Sequence, residues 1–111
     1  MAMQQAVIRE VQTWIDNNID KPLRIDDVAT RAGYSKWHLQ RLFHEITTIP
    51  MGVYIRNKKL ESAAYDLWAT DESIITISTK YGFDSQQTFT RIFSKKYNMP
   101  PGAWRRQHQP G

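Results

Sequence analysis

Ile25-Asp26-Asp27-Val28-Ala29-Thr30-Arg31-Ala32-Gly33-Tyr34 and Ile74-Ile75-Thr76-Ile77-Ser78-Thr79-Lys80-Tyr81-Gly82-Phe83 are two versions of one pattern. At an offset of 49, Ile25 falls on Ile74, Val28 on Ile77, Ala29 on Ser78, Arg31 on Lys80, Gly33 on Gly82 and Tyr34 on Phe83. Asp84 is then a single inserted residue, and the match resumes at an offset of 50. Ser35 falls on Ser85, Leu39 on Phe89, Arg41 on Arg91, Leu42 on Ile92, Phe43 on Phe93 and Pro50 on Pro100. One structural unit has been used twice.

Each copy reads as two helices about a tight turn. Ile25, Val28, Ala29 and Ala32 recur at helical spacing, with Asp26 and Asp27 in the first turn, where the helix dipole favours carboxylates. Four positions after the small residue Ala29 or Ser78 comes a glycine, which tolerates the backbone angles of a turn, while the small residue lets two helices cross closely. That is helix-turn-helix geometry. A single small-xxx-Gly pattern also occurs in plain helical hairpins, so the second copy carries much of the weight. Ser35 is placed to cap a following helix with the apolar stripe Leu39, Leu42, Phe43 and Ile46. In the second copy the stripe is Phe89, Ile92, Phe93 and Tyr97.

Outside the repeats, apolar residues at 7, 8, 11, 14, 15 and 19 predict an amphipathic helix over roughly Gln4 to Asn18, ended by Lys21-Pro22. Pro50 opens a long helix from about Met51 to Thr70, with Leu60, Ala63, Ala64, Leu67 and Trp68 as its inward face. At about 1.5 Å per residue it makes a rod of roughly 30 Å. Pro100-Pro101 starts a last short turn containing Trp104. No segment alternates with period two. The expected fold is all-α: about seven helices in two tandem helix-turn-helix subdomains, residues 1–50 and 71–111, joined by a long central helix over 51–70.

Composition narrows the function. With 111 residues the chain supports one modest core or two small ones, not a large enzyme with a deep cleft. It lacks cysteine, a secretory leader and any apolar run near about 18 residues, so a soluble, cytoplasmic protein without membrane contact is expected. His38 and His44, six apart, lie on different sides of a helix, which removes a two-histidine metal site on one face. No cofactor, metal or catalytic residue is expected, because there is no Ser/His/Asp order and no Gly-rich phosphate loop. The net charge of +4 is unevenly spread. Residues 1–35 carry four Lys/Arg against five Asp/Glu, and residues 36–111 carry eleven against six. A basic excess that begins at the second helix of the first copy suits a polyanion such as double-stranded DNA, and it also fits a solvated basic surface.

The faces turned away from the apolar stripes hold Trp37, Gln40, Arg41 and His44 in the first copy, and Gln87, Thr90, Arg91 and Ser94 in the second, with Gln86 and Thr88 beside them. Arginine pairs bidentately with guanine, glutamine with adenine, and a threonine methyl or aromatic ring packs on the thymine methyl. The candidate base contacts are Trp37, Gln40, Arg41, Gln86, Gln87, Thr88, Thr90 and Arg91. Candidate phosphate contacts are Ser35, Lys36, Arg56, Lys58, Lys59, Ser85, Lys95, Lys96 and Arg105, with Arg106 nearby. Each has a plainer reading as ordinary polar surface. Arg41, for one, could pair with Glu45 at i+4, worth about 0.3–0.5 kcal/mol.

These residues resemble the AraC/XylS family of bacterial transcription regulators, and within it the compact MarA, SoxS, RamA and Rob type. The resemblance covers residues 5–106. It is strongest over Gly33-Tyr34-Ser35-Lys36-Trp37-His38-Leu39-Gln40-Arg41 and Tyr81-Gly82-Phe83-Asp84-Ser85-Gln86-Gln87-Thr88-Phe89-Thr90-Arg91, with Trp14-Ile15-Asp16, Tyr54-Ile55-Arg56 and Pro100-Pro101 in support. It implies base contacts at Trp37, Gln40, Arg41, Gln86, Gln87, Thr88 and Arg91. It also implies a monomer on an asymmetric promoter element, activation through RNA polymerase, and target genes in drug efflux and stress defence. Two departures stand out: Thr48 where relatives usually carry glycine, and Trp104 where tyrosine is common. No room remains for an effector-binding domain, so no small-molecule effector is expected. The alternative reading is a helical protein–protein interaction module whose repeated faces bind another protein.

Overall fold

The structure, a computed structural model, describes residues 2–21 and 23–108. Among these residues there are seven helices and no strand: α1 (Ala2–Asn17), α2 (Ile25–Ala32), α3 (Lys36–Thr47), α4 (Met51–Ala69), α5 (Ile74–Lys80), α6 (Gln86–Tyr97) and α7 (Pro101–His108). The all-α, twin helix-turn-helix fold expected from the repeat is what forms. Of the expected stop at Lys21-Pro22, Pro22 lies outside the described residues. The chain divides into two compact units, Met1–Lys58 and Lys59–Gly111, so α4 contributes its first turns to one and its remainder to the other.

In the first unit, Ile8, Val11, Ile15 and Ile19 from the N-terminal segment pack with Val28, Ala29, Leu39, Leu42, Phe43, Met51 and Ile55, all buried. Tyr54 meets the edge of the Phe43 ring at 5.3 Å and donates its hydroxyl to Asp16 at 3.0 Å, tying α4 to both α3 and α1. The second unit buries Leu60, Ala63, Ala64, Leu67, Ile77, Tyr81, Phe89, Phe93 and Pro101. Along it runs an aromatic chain, Phe83–Phe89–Phe93–Tyr97–Trp104, with neighbouring centroids 4.6–5.5 Å apart. Trp104, the unusual residue of the last turn, is seated by its indole N–H, which donates to the Ala64 carbonyl at 3.0 Å.

The repeat is visible bond by bond. In the first turn, Gly33 N–H donates to Thr30 O and Tyr34 N–H to Ala29 O; in the second, Gly82 N–H donates to Thr79 O and Phe83 N–H to Ser78 O, the same pairs 49 residues on. Gly33 and Gly82 both sit at φ 79°, a left-handed conformation that a side chain would strain. The small residues before them are buried, and Ser78 satisfies its hydroxyl by donating to Ile75 O at 2.8 Å. Ser35 and Ser85 cap α3 and α6 by accepting from the His38 and Thr88 N–H groups.

The copies differ at their first helix. Ser73 caps α5 through the Thr76 N–H, whereas its counterpart Arg24 makes no side-chain cap for α2, which relies on Asp26 and Asp27 in its first turn. They also differ at the far end. Thr48 and Asn98, 50 apart, both terminate a helix in the left-handed region, at φ 65° and 60°. Asparagine visits that region readily, whereas a β-branched threonine is strained there. Thr48→Gly is therefore expected to stabilise the protein by about 1 kcal/mol, a rise of roughly 4 °C in melting temperature, while Asn98→Gly should change it far less. A fall in melting temperature for Thr48→Gly would show that Thr48 contributes more than its strain costs.

One expectation about the core is corrected. Trp68 is not part of the inward face of α4: it is 41% exposed and stands edge-on to Tyr65, itself 59% exposed, with centroids 5.2 Å apart. Leu60, Ala63, Ala64 and Leu67 already fill the stripe, and a residue directly after Leu67 is turned about 100° from it, past the edge of the packed face.

Candidate nucleic-acid interface

The first helix-turn-helix presents α3. Leu39 and Phe43 are completely buried and Leu42 nearly so, which leaves Trp37, Arg41 and His44 exposed and Gln40 half-buried. Trp37 is 72% exposed, an extreme value for an indole, and it does not tuck under a neighbouring loop. The Arg41 guanidinium lies 5.2 Å from the centre of the Trp37 ring. That cation–π contact, worth about 0.5–1 kcal/mol at an exposed site, holds two candidate base-reading groups side by side. Arg41 forms no ion pair with Glu45 among the described residues, so the salt-bridge alternative is not what the side chain does.

The second unit presents α6 in the same way. Phe89 and Phe93 anchor the helix, Gln86, Gln87 and Arg91 are exposed, and Thr88 and Thr90 are half-buried. Thr88 is tied into the cap: its N–H donates to Ser85 Oγ at 3.0 Å, and Ser85 Oγ donates to Thr88 Oγ1 at 3.1 Å. Arg91 has no carboxylate partner among the described residues. Thus Trp37, Arg41, Gln86, Gln87 and Arg91 are exposed on their helices, while Gln40, Thr88 and Thr90 are half-buried.

The candidate phosphate contacts are more varied. Ser35 and Ser85 are N-caps, so each also sets the direction in which its helix starts. Lys36 lies 3.8 Å from Asp26 in an exposed pair, a weak tie that phosphate could displace. Lys58 and Lys96 rest over the rings of Tyr54 and Tyr97, at 5.5 and 5.6 Å. Lys95 and Arg56 are exposed. Lys59 is half-buried, which pushes its pKa down, and its Nζ stands 3.6 Å from where a Gly82 Cβ would be, so it covers the second turn.

Arg105 has a structural task that sequence reading missed. Its Nε donates to Leu67 O at 2.6 Å, and its Nη2 reaches the carbonyls of Thr70 and Glu72, so one guanidinium closes the C-terminus of α4 and the loop after it. Nothing in local sequence signals a partner more than 30 residues away. The same loop carries a second clamp. Lys80 Nζ bonds Asp66 and Glu72, each at 2.8 Å, and the Tyr81 hydroxyl donates to Asp66 at 2.6 Å. Burial alone would lower the Lys80 pKa, but the two carboxylates outweigh it and the net shift is upward. Together these contacts fix the loop into α5, the first helix of the second helix-turn-helix.

No group of His, Asp or Glu suited to hold a metal exists among the described residues, and none of their helices is long and apolar enough to cross a membrane. A family model described as a helix-turn-helix domain matches residues 28–107. The chain is 44% identical over 106 residues to the transcriptional regulator Rob of Salmonella typhimurium, which covers 96% of this chain and 37% of Rob. It is also 44% identical over 101 residues to the regulatory protein SoxS of Escherichia coli K12, covering 91% of this chain and 94% of SoxS. A solved AraC-type transcriptional regulator from Chromobacterium violaceum matches with a TM-score of 0.87 at 31% identity, over the whole of both chains. The chain thus spans little more than a third of Rob but nearly all of SoxS. These relatives are transcriptional regulators, not enzymes. An apolar anchor and an exposed polar face in each helix-turn-helix are what such a regulator requires, and the chain belongs to the AraC-type helix-turn-helix family of DNA-binding transcriptional regulators, among its SoxS- and Rob-like members.

Proposed function

We propose that this protein activates transcription as a monomer, laying α3 and α6 in two adjacent major-groove segments of an asymmetric promoter element and recruiting RNA polymerase there. The observation that supports it best is the pair of polar faces, Trp37-Gln40-Arg41 and Gln86-Gln87-Arg91, each backed by buried apolar residues in a separately capped helix of one chain. Thr88 and Thr90 contribute methyl contacts at the margin of the second face. Phosphate contacts from Ser35, Lys36, Arg56, Lys58, Ser85, Lys95 and Lys96 set the register, with Lys59 beside the second turn. Activation through RNA polymerase, at promoters of stress and drug-resistance genes, is what the family resemblance implies.

Arginine-to-alanine variants test the assignment of base readout. Arg41→Ala and Arg91→Ala are each expected to cost about 1–3 kcal/mol on a specific site located by footprinting, with a much smaller effect on random duplex. The lost preference should map to different ends of the site. Equal weakening on all sequences would make that arginine a phosphate contact and remove it from the reading face. Failure of the unaltered protein to bind any duplex with steep salt dependence would favour the protein-interaction alternative.

A further inference from the structure

One oxygen of Asp66, on α4, receives two donors from the second helix-turn-helix: its Oδ2 takes the Lys80 Nζ at 2.8 Å and the Tyr81 hydroxyl at 2.6 Å. The carboxylate side chain is only 14% exposed, so this is not a screened surface pair of the kind that contributes little. Lys80 is the last residue of α5 and Tyr81 its C-terminal cap. Gly82, whose left-handed angles make the turn, follows at once. We infer that Asp66 is a positioning residue for base readout by α6: acting through Lys80 and Tyr81, it sets how α6 is offered to the groove without touching DNA itself. The inference rests on the DNA-binding reading of α6 and extends it to a residue of α4 outside the proposed contact sets.

The path from Asp66 to α6 is short. Before the turn, Lys80 and Tyr81 anchor the end of α5 to α4, and Lys80 also bonds Glu72 at 2.8 Å, drawing the intervening loop to the same point. Across the turn, Phe83 N–H donates to Ser78 O, and the Phe83 ring meets the edge of the Phe89 ring at 5.1 Å. Phe89 is completely buried and lies in α6 between Thr88 and Thr90, two residues before Arg91. A shift at the end of α5 therefore reaches the side chains proposed to read bases. Readout tolerates little displacement, because bidentate pairing needs both donors in line with the base edge.

The first copy holds the corresponding cation differently. Arg31, the repeat counterpart of Lys80, is exposed and lies over the Trp14 ring of α1 at 5.4 Å, and Ala32, with no hydroxyl to donate, stands in the place of Tyr81. Loss of the carboxylate anchor is therefore felt at one end of the DNA site. Charge gives the test its sign. Asparagine at position 66 keeps the shape and an acceptor oxygen but not the charge that holds Lys80. It also makes the protein more cationic, and simple attraction to phosphate would then tighten binding to every duplex. Loss of a positioning residue does the opposite, and on the specific site alone.

Fluorescence anisotropy tests this with a labelled duplex carrying the specific site located by footprinting, a panel of its single-base-pair variants, and a random duplex of equal length. Stoichiometric titration sets the active fraction of each protein, and circular dichroism checks that it is folded. Asp66→Asn should bind the specific site about tenfold more weakly than the unaltered protein, a loss equivalent to one mismatched base pair, and the random duplex no more weakly. Lys80→Met should lose as much, and Lys80→Arg, which keeps a donor to the carboxylate, should bind as the unaltered protein does. The lost discrimination should lie in the segment read by α6, and Arg31→Met should leave discrimination there intact. If Asp66→Asn does not fold, Lys80→Met and Lys80→Arg decide the question on the same readings. Asp66→Asn binding the specific site as tightly as the unaltered protein, or more tightly, would overturn the inference. So would discrimination lost evenly along the site, or Lys80→Met weakening both duplexes alike with a salt slope shallower by about one unit, the mark of a phosphate contact. Absence of base discrimination by the unaltered protein in the α6 segment would instead overturn the reading of α6 as a base-contacting helix.

Discussion

Inserting five base pairs between the two groove segments contacted by α3 and α6 is expected to abolish sequence-specific binding and return affinity to that of random duplex. The expected loss is about 1,000-fold or more, the usual gap between specific and non-specific binding. A helix-turn-helix protein ordinarily reads two grooves by dimerising on half-sites about one turn apart, and its site is then palindromic. Here both helix-turn-helix units belong to one chain, and a continuous helix of 19 residues, α4, lies between α3 and α6 in sequence. In the two-headed reading no symmetry axis relates the two contacts, so the site is asymmetric. Five extra base pairs rotate one segment by about half a turn, to the far side of the duplex. Sedimentation of the complex supplies the stoichiometry and gel shift the affinity. Two protomers on an asymmetric site, or unchanged affinity after the insertion, would reject the monomeric two-headed reading while leaving DNA binding intact.

Arg105→Lys should destabilise the second unit by about 2–4 kcal/mol, nearly as much as Arg105→Ala. The guanidinium reaches the carbonyls of Leu67, Thr70 and Glu72 from one planar group. A lysine ammonium keeps the charge but cannot span those acceptors with the same fixed fork. Hydrogen bonds from a charged donor contribute about 1.5–3 kcal/mol each, and a partly buried carbonyl left unmatched adds a desolvation cost. Urea unfolding reads the effect as a lower midpoint at constant slope. A surface phosphate contact behaves oppositely: lysine would serve nearly as well as arginine, and alanine would leave the midpoint unchanged while making the DNA salt slope about one unit shallower. That second outcome would return Arg105 to the phosphate-binding set.

The contrast between Arg105 and Arg91 shows where sequence reading reaches. Arg91 follows Phe89 by two and precedes Phe93 by two, so once the apolar stripe is known its exposed side is known. Arg105 has no such local frame, because its partners are carbonyls at the end of a helix that finishes 36 residues earlier. Trp68 misled for a related reason. Its hydrophobicity suggests burial, but the stripe of α4 was already complete, and an indole at the edge of a filled face turns to its exposed neighbour Tyr65.

Local chemistry written into the sequence determined the helices, their caps, the two left-handed glycines and the duplication, because each depends on residues within a few positions of one another. The recurrence of the same turn bonds 49 residues apart follows from that local code. Likewise, the exposed sides of α3 and α6 followed from helical period alone. Only the tertiary structure decided that Arg105 closes α4, that Lys80 clamps Asp66 and Glu72, and that the Trp104 indole is seated on the Ala64 carbonyl. Those outcomes depend on which distant segments meet across a packed core, and helical periodicity carries no information about the distance between side chains on different helices.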